Sequence, residues 1–120
     1  MQINAPKHFD KELFLKRMDW DQDATEAVLK QTKAALNKMI DDFQATVDSL
    51  DIANIHKKAH KIKGTARSLS FEILADKAFE LERFTENGEI EKITAGEVSD
   101  FIKNQASGIV EEMRYLKQIL

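Results

Sequence analysis

Residues 60–72 read HKIKGTARSLSFE, with Lys63 three residues and Gly64 four residues after His60. Neutral imidazole is a nucleophile near pH 7, its unperturbed pKa being about 6.5. Attack on phosphorus would give a phosphoramidate, which keeps a high transfer potential. A lysine one helical turn away would set a compact positive charge beside the phosphoryl oxygens. From His56 to Arg67 there are five bases, Lys57, Lys58, Lys61, Lys63 and Arg67, and no acid. Taken out of the 18 Lys and Arg, these five leave 13 bases against 21 Asp and Glu, so a basic segment sits on an acidic body. Such a segment would steer an acidic partner. A solvated helix face is the plainer reading of the same charge run.

These residues lie on a predicted helix. Ile52, Ile55, Ala59, Ile62, Ala66 and Leu69 recur at alternating spacings of three and four, the core stripe of a bundle helix. At about 100° per residue and with His60 set to zero, that stripe centres near about 230°. His56, Lys63, Gly64 and Arg67 all fall within about 60° of His60. The imidazole is therefore turned well away from the core. Gly64 costs about 1 kcal/mol relative to alanine in a helix interior. It serves either close helix packing or access from outside, and its projection nearly opposite the stripe favours access.

The rest of the chain has to position this helix. One proline and four glycines in 120 residues, with abundant Ala, Lys, Glu, Leu and Ile, favour helix over a turn-rich β fold. Residues 1–6 read as a flexible leader ending at Pro6, and 7–120 as one domain. A short amphipathic helix follows, with Asp10 as N-cap and Leu13, Phe14 and Met18 as its apolar side. DWDQD, residues 19–23, reads as a turn, with Trp20 packing where the short helix meets the bundle; an exposed role in partner docking is the lesser reading. Residues 24–50 lack glycine and proline, and Val28, Leu36, Met39, Phe43, Val47 and Leu50 mark one long helix. Asp51 can cap the next. Leu74, Ala78 and Leu81 carry a fourth helix to a stop at Asn87-Gly88. Thr94 and Glu97 form a capping box, and Val98, Ile102, Ile109, Met113, Leu116 and Leu120 mark the last helix. The expected fold is all-α, an antiparallel up-down four-helix bundle with a short extra N-terminal helix.

Composition excludes several functions. Cysteine is absent, so disulfide and thiolate chemistry are ruled out. No apolar run nears the roughly 18 residues of a membrane span, and the polar start MQINAPKHFD carries no signal-peptide pattern. A net charge of -3 argues against bulk nucleic-acid binding. A cytoplasmic monomer with no nucleic-acid or membrane partner is expected. There is no Gly-rich nucleotide loop, so the chain cannot use ATP by itself. His56 and His60 stand at i, i+4, a spacing that can bind zinc. Lysines crowd the pair and no acid or cysteine lies nearby, so no metal site is expected. His8 carries no signal.

At AHKIKGTARSLSF the sequence resembles the histidine-containing phosphotransfer domain, the intermediate carrier of bacterial-type phosphorelays. The run of histidine, Leu or Ile, Lys, Gly and small residues is the family's mark. Leu81-Glu82 and the upstream FDKELFLKRMDWDQD also fall where the family has similar features. The resemblance implies that His60 is the phosphoacceptor, that Lys63 stabilises the phosphoryl group and that Gly64 opens access for a receiver domain. Chemotaxis-kinase members use a glutamate at the spacing of Glu82 to bind Nδ1–H. Here Ala75, Phe79 and Glu82 border the core face of their helix, and Glu82 either orients His60 or is solvated. The chain departs from the family at Ser70, where glycine is usual and where serine adopts positive φ less readily.

The implied function is a phosphoryl carrier, not an enzyme with its own kinase site. It would work between a sensor or hybrid histidine kinase and a response-regulator receiver domain. Mg²⁺ would be held by the receiver, with no cofactor on this chain. His56, Lys57, Lys61 and Arg67 would flank the partner surface. The alternative is a helical adaptor that uses the same face without phosphorylation.

Overall fold

The computed structural model describes residues 5–86 and 95–120, and every regular element among them is a helix. These are α1 (Lys11–Arg17), α2 (Gln22–Ser49), α3 (Ile52–Ser68), α4 (Glu72–Glu86) and α5 (Ala95–Ile119). Three begin at aspartates whose carboxylates take up otherwise orphaned N–H groups. Asp10 accepts from Leu13 N–H at 3.1 Å, Asp21 from Ala24 N–H at 3.0 Å, and Asp51 from Asn54 N–H at 3.2 Å. Each such cap stabilises its helix by about 1 kcal/mol. The expected stop at Asn87-Gly88 and cap at Thr94 lie outside the described residues.

The helices pack in a ring: α2 on α3 and α5, α3 on α4, and α4 on α5. Cross-helix contacts give the directions. His56 meets Thr85 while Lys63 meets Glu82, so α3 and α4 run antiparallel. Lys77 donates to the Gly108 carbonyl at 3.4 Å and Phe84 stacks on Phe101 with centroids 4.1 Å apart, so α4 and α5 do the same. The core fills the ring. In α3 the stripe Ile55, Ala59, Ile62 and Ala66 is buried, with Ile52 and Leu69 half-buried at its ends. Opposite it stand Leu36, Phe43, Leu74, Leu81, Ile102, Ile109, Met113 and Leu116, all nearly inaccessible.

Two apolar residues depart from the expected packing. Leu50 ends α2 in a left-handed conformation (φ 53°) and is exposed. Trp20 is not a packing residue: the chain passes through left-handed conformations at Asp19 and Trp20 (φ 53° and 59°), and the indole is 58% exposed.

The α3–α4 bend decides how the two site-bearing helices sit. Ser70 takes φ 62°, its N–H donates to the Arg67 carbonyl at 3.3 Å, and Phe71 N–H donates to the Ala66 carbonyl at 2.8 Å. This is a Schellman ending with serine in the place that glycine favours. Arg17 of α1 supports it, donating to the Arg67 carbonyl at 2.7 Å and to Ser70 Oγ at 3.3 Å. The chain before α1 crosses the same end. Ile73 N–H donates to the Lys7 carbonyl at 3.0 Å and Asp10 N–H to the Ser70 carbonyl at 2.9 Å. Phe9 packs edge-on to Phe71 at 5.4 Å, and His8 Nδ1 lies 2.7 Å from the buried Glu112 carboxylate.

Candidate functional site

His60 projects from the middle of α3 on the face away from the core stripe, and its side chain is 67% exposed. The antiparallel packing of α4 brings Glu82 against it. One carboxylate oxygen of Glu82 meets His60 Nδ1 and the other accepts from Lys63 Nζ. Glu82 itself is buried. Burial pushes its carboxyl up, but the hydrogen bonds and charges of Lys63 and His60 outweigh this and hold it below its ordinary value of 4.5. It is thus ionised near neutral pH and can only accept. The hydrogen on the shared bond must then be carried by His60 Nδ1, which leaves Nε2 as an outward lone pair.

Lys63 is drawn inward. Its side chain is only 14% exposed, and its ammonium stands 5.3 Å from the centre of the Phe79 ring. Arg67 of α3 and Arg83 of α4 approach the same ring, each with Cζ 5.8 Å from its centre. Phe79 is itself 39% exposed, so a half-open aromatic ring gathers three cations, one of them the lysine that shares Glu82 with His60. Sequence reasoning placed Phe79 on the stripe with Glu82 but gave it no role. Its i, i+3 spacing to Glu82 was the available signal.

Gly64 is exposed, has an ordinary helical φ, and a Cβ added to it would meet nothing within 4 Å. Nothing among the described residues therefore requires glycine there. Lys57, Lys61 and Arg67 are exposed on the same helix. His56 behaves differently from these three. It is half-buried, with Nδ1 3.0 Å from Thr85 Oγ1 and 3.2 Å from the Glu82 carbonyl oxygen. Thr85 was not singled out from the sequence. A threonine near the end of a helix is unremarkable until the facing helix is known.

Among the described residues no group of three or more His, Cys, Asp or Glu is gathered to hold a metal ion. Among them, too, no helix is long and apolar enough to cross a membrane. The arrangement is an accessible imidazole held at Nδ1 by a buried carboxylate, which also pairs with a lysine.

The family model described as the Hpt domain matches residues 15–113. No curated protein and no solved structure matches the chain. The matched span takes in α2, α3 and α4 whole and most of α5. The chain belongs to the Hpt domain family, whose members serve phosphorelays as carriers rather than kinases.

Proposed function

We propose that this Hpt domain carries a phosphoryl group on His60 between a kinase or receiver aspartate and the receiver domain of a response regulator. The observation that carries the reading is the exposed imidazole whose Nδ1–H is held by the buried Glu82 carboxylate. In the accepting step the Nε2 lone pair attacks phosphorus of an aspartyl phosphate. The Nε2–P bond forms, the P–O bond to the aspartate breaks, and its electron pair leaves with the carboxylate. Positive charge then appears on the ring, and Glu82 faces it across Nδ1–H. The reverse sequence donates the group to the next receiver.

The other residues take roles that follow from their chemistry. Lys63 shares its charge with Glu82 before transfer and turns it to the phosphoryl oxygens as they arrive. Gly64 leaves room for the receiver. Lys57, Lys61 and Arg67 draw in its acidic site, where the Mg²⁺ required for transfer is bound.

The test is phosphate uptake from a small phosphodonor or a cognate kinase. Wild type should take up an acid-labile, alkali-stable label. His60→Gln should take up none while keeping its helical circular dichroism. Undiminished labelling of a folded His60→Gln protein overturns the assignment and leaves the face to a non-phosphorylated adaptor.

A further inference from the structure

His56 stands one turn before His60 in a basic run, where it reads as one more element of a partner surface. Its bonding is not that of a partner-facing residue. Its Nδ1 reaches across to α4 and meets Thr85 Oγ1 at 3.0 Å and the Glu82 carbonyl at 3.2 Å. Thr85 Oγ1 also lies 3.0 Å from the Leu81 carbonyl and 2.9 Å from that of Glu82. The Thr85 hydroxyl hydrogen therefore has a carbonyl to go to, and the Glu82 carbonyl can only accept. A lone pair at His56 Nδ1 would face that carbonyl oxygen, so Nδ1 carries the hydrogen and donates it.

The residue on the accepting end is the one that orients His60. Glu82 is gripped twice from α3, its carboxylate by His60 and Lys63 and its backbone by His56. The two holds act on the same turn of α4. Glu82 and Thr85 stand one turn apart on α4, both on the side that meets His56 of α3. Angular drift of that turn would swing the Glu82 carboxylate relative to an imidazole mounted on the middle of α3. The Phe84–Phe101 stack ties the same turn to α5 but does not fix it against α3.

We propose that His56 is a positioning residue for phosphoryl transfer, acting through Glu82. Its Nδ1–H bond to the Glu82 carbonyl and the Thr85 hydroxyl sets this turn of α4 so that the Glu82 carboxylate meets His60 Nδ1. The inference rests on His60 being the acceptor. Its primary readout, however, is the His60 to Glu82 hydrogen bond in the unphosphorylated protein, which needs no transfer at all.

The experiment compares wild type with His56→Leu, His56→Asn and Thr85→Val. Asparagine places an N–H donor near the position of Nδ1, and leucine offers none. The first measurement is the His60 Nδ1–H proton resonance, which a carboxylate partner holds downfield. The second is the rate of label uptake at saturating phosphoramidate, with His60→Gln as the blank. His56→Leu should lose or broaden the downfield resonance and slow uptake at saturation by about tenfold, which is about 1.4 kcal/mol of barrier. His56→Asn should restore both in large part, and Thr85→Val should fall between. A sharp, unshifted His60 resonance with wild-type uptake in folded His56→Leu overturns the proposal. So does a loss that appears only in the half-saturating concentration of a receiver, because it returns His56 to the partner surface. Failure of wild type to take up label at all would instead strike the acceptor assignment, and the resonance would still test the His56 linkage.

Discussion

Replacing Gly64 separates folding from transfer, because the structure makes opposite demands on the two. Gly64 has helical φ, and a new Cβ would contact nothing within 4 Å. Gly64→Ala should therefore gain the full helix-propensity difference, about 1 kcal/mol. With an unfolding entropy of about 2.1 cal/mol/K per residue, a 120-residue chain has about 0.25 kcal/mol/K, so Tm should rise by about 4 °C. Gly64→Leu should melt nearly as high, since leucine is also a strong helix former. Its side chain, however, would stand on the face of α3 that carries His60, where the proposed function seats a receiver. Overpacking of a close interface costs about 1–3 kcal/mol, a fall of about 5- to 150-fold in transfer rate. Thermal melts by circular dichroism and stopped-flow transfer to a receiver give the two numbers. A lowered Tm for Gly64→Ala would show that the space is not open. A stabilised Gly64→Leu with wild-type transfer would show that the opening is not used.

The buried carboxylate predicts an acid dependence. The carboxyl of Glu82 is lowered from 4.5 in the fold, so its ion-pair contribution is present above its unfolded value and is lost as pH falls through the lower folded one. The urea-midpoint difference between wild type and Glu82→Gln should then shrink from about pH 6 to about pH 3, and a pH-independent difference refutes this. At the bend, Ser70→Gly removes the side-chain penalty of φ 62° and forfeits the 3.3 Å bond from Arg17, a net stabilisation below about 1 kcal/mol by chemical denaturation. A loss above about 1 kcal/mol would make the Arg17 bond the dominant effect. Neutralising Lys57, Lys61 and Arg67 together should lower the rate of encounter with a receiver and flatten its dependence on salt. The saturated transfer rate should be untouched, and a change confined to the saturated rate counts against steering.

The helices could be read from the sequence because their core stripes are strictly spaced. The α3 stripe from Ile55 to Ala66 is buried as its period requires, and the caps Asp10 and Asp51 stand where short polar residues precede apolar runs. What escaped depends on backbone conformations and contacts that periodicity does not encode. Leu50 continues the apolar count of α2 yet falls at its left-handed end. Trp20 looks like an anchor by size but is itself left-handed, directly after the left-handed Asp19, in a turn that carries it outward. The segment from Lys7 to Asp10, between the expected leader and α1, carries no periodic signal, but its backbone pairs with the start of α4 and with the bend. At the site, one face of one helix could be laid out by angle alone, so His60, Lys63 and Gly64 were legible together. Whether Glu82 faced His60 depended on the register between α3 and α4, which Ser70 and its bonds to α1 set. That same register creates the Thr85 acceptor for His56.

The length of α2 has a consequence for how the protein breathes. Its 28 residues make a rod of about 42 Å, whereas the 17 of α3 span about 26 Å. Between Gln22 and Ala35 only Thr25 is buried, and from Leu36 onward the helix sends Ile40, Phe43 and Val47 into the core. One continuous ladder of amide bonds is therefore divided into two classes of opening free energy. The amides of the first turns should exchange with deuterium through local fraying, at a rate indifferent to substitutions that strengthen α3. Those beyond Leu36 should exchange only through cooperative unfolding and slow about fivefold with each 1 kcal/mol gained elsewhere.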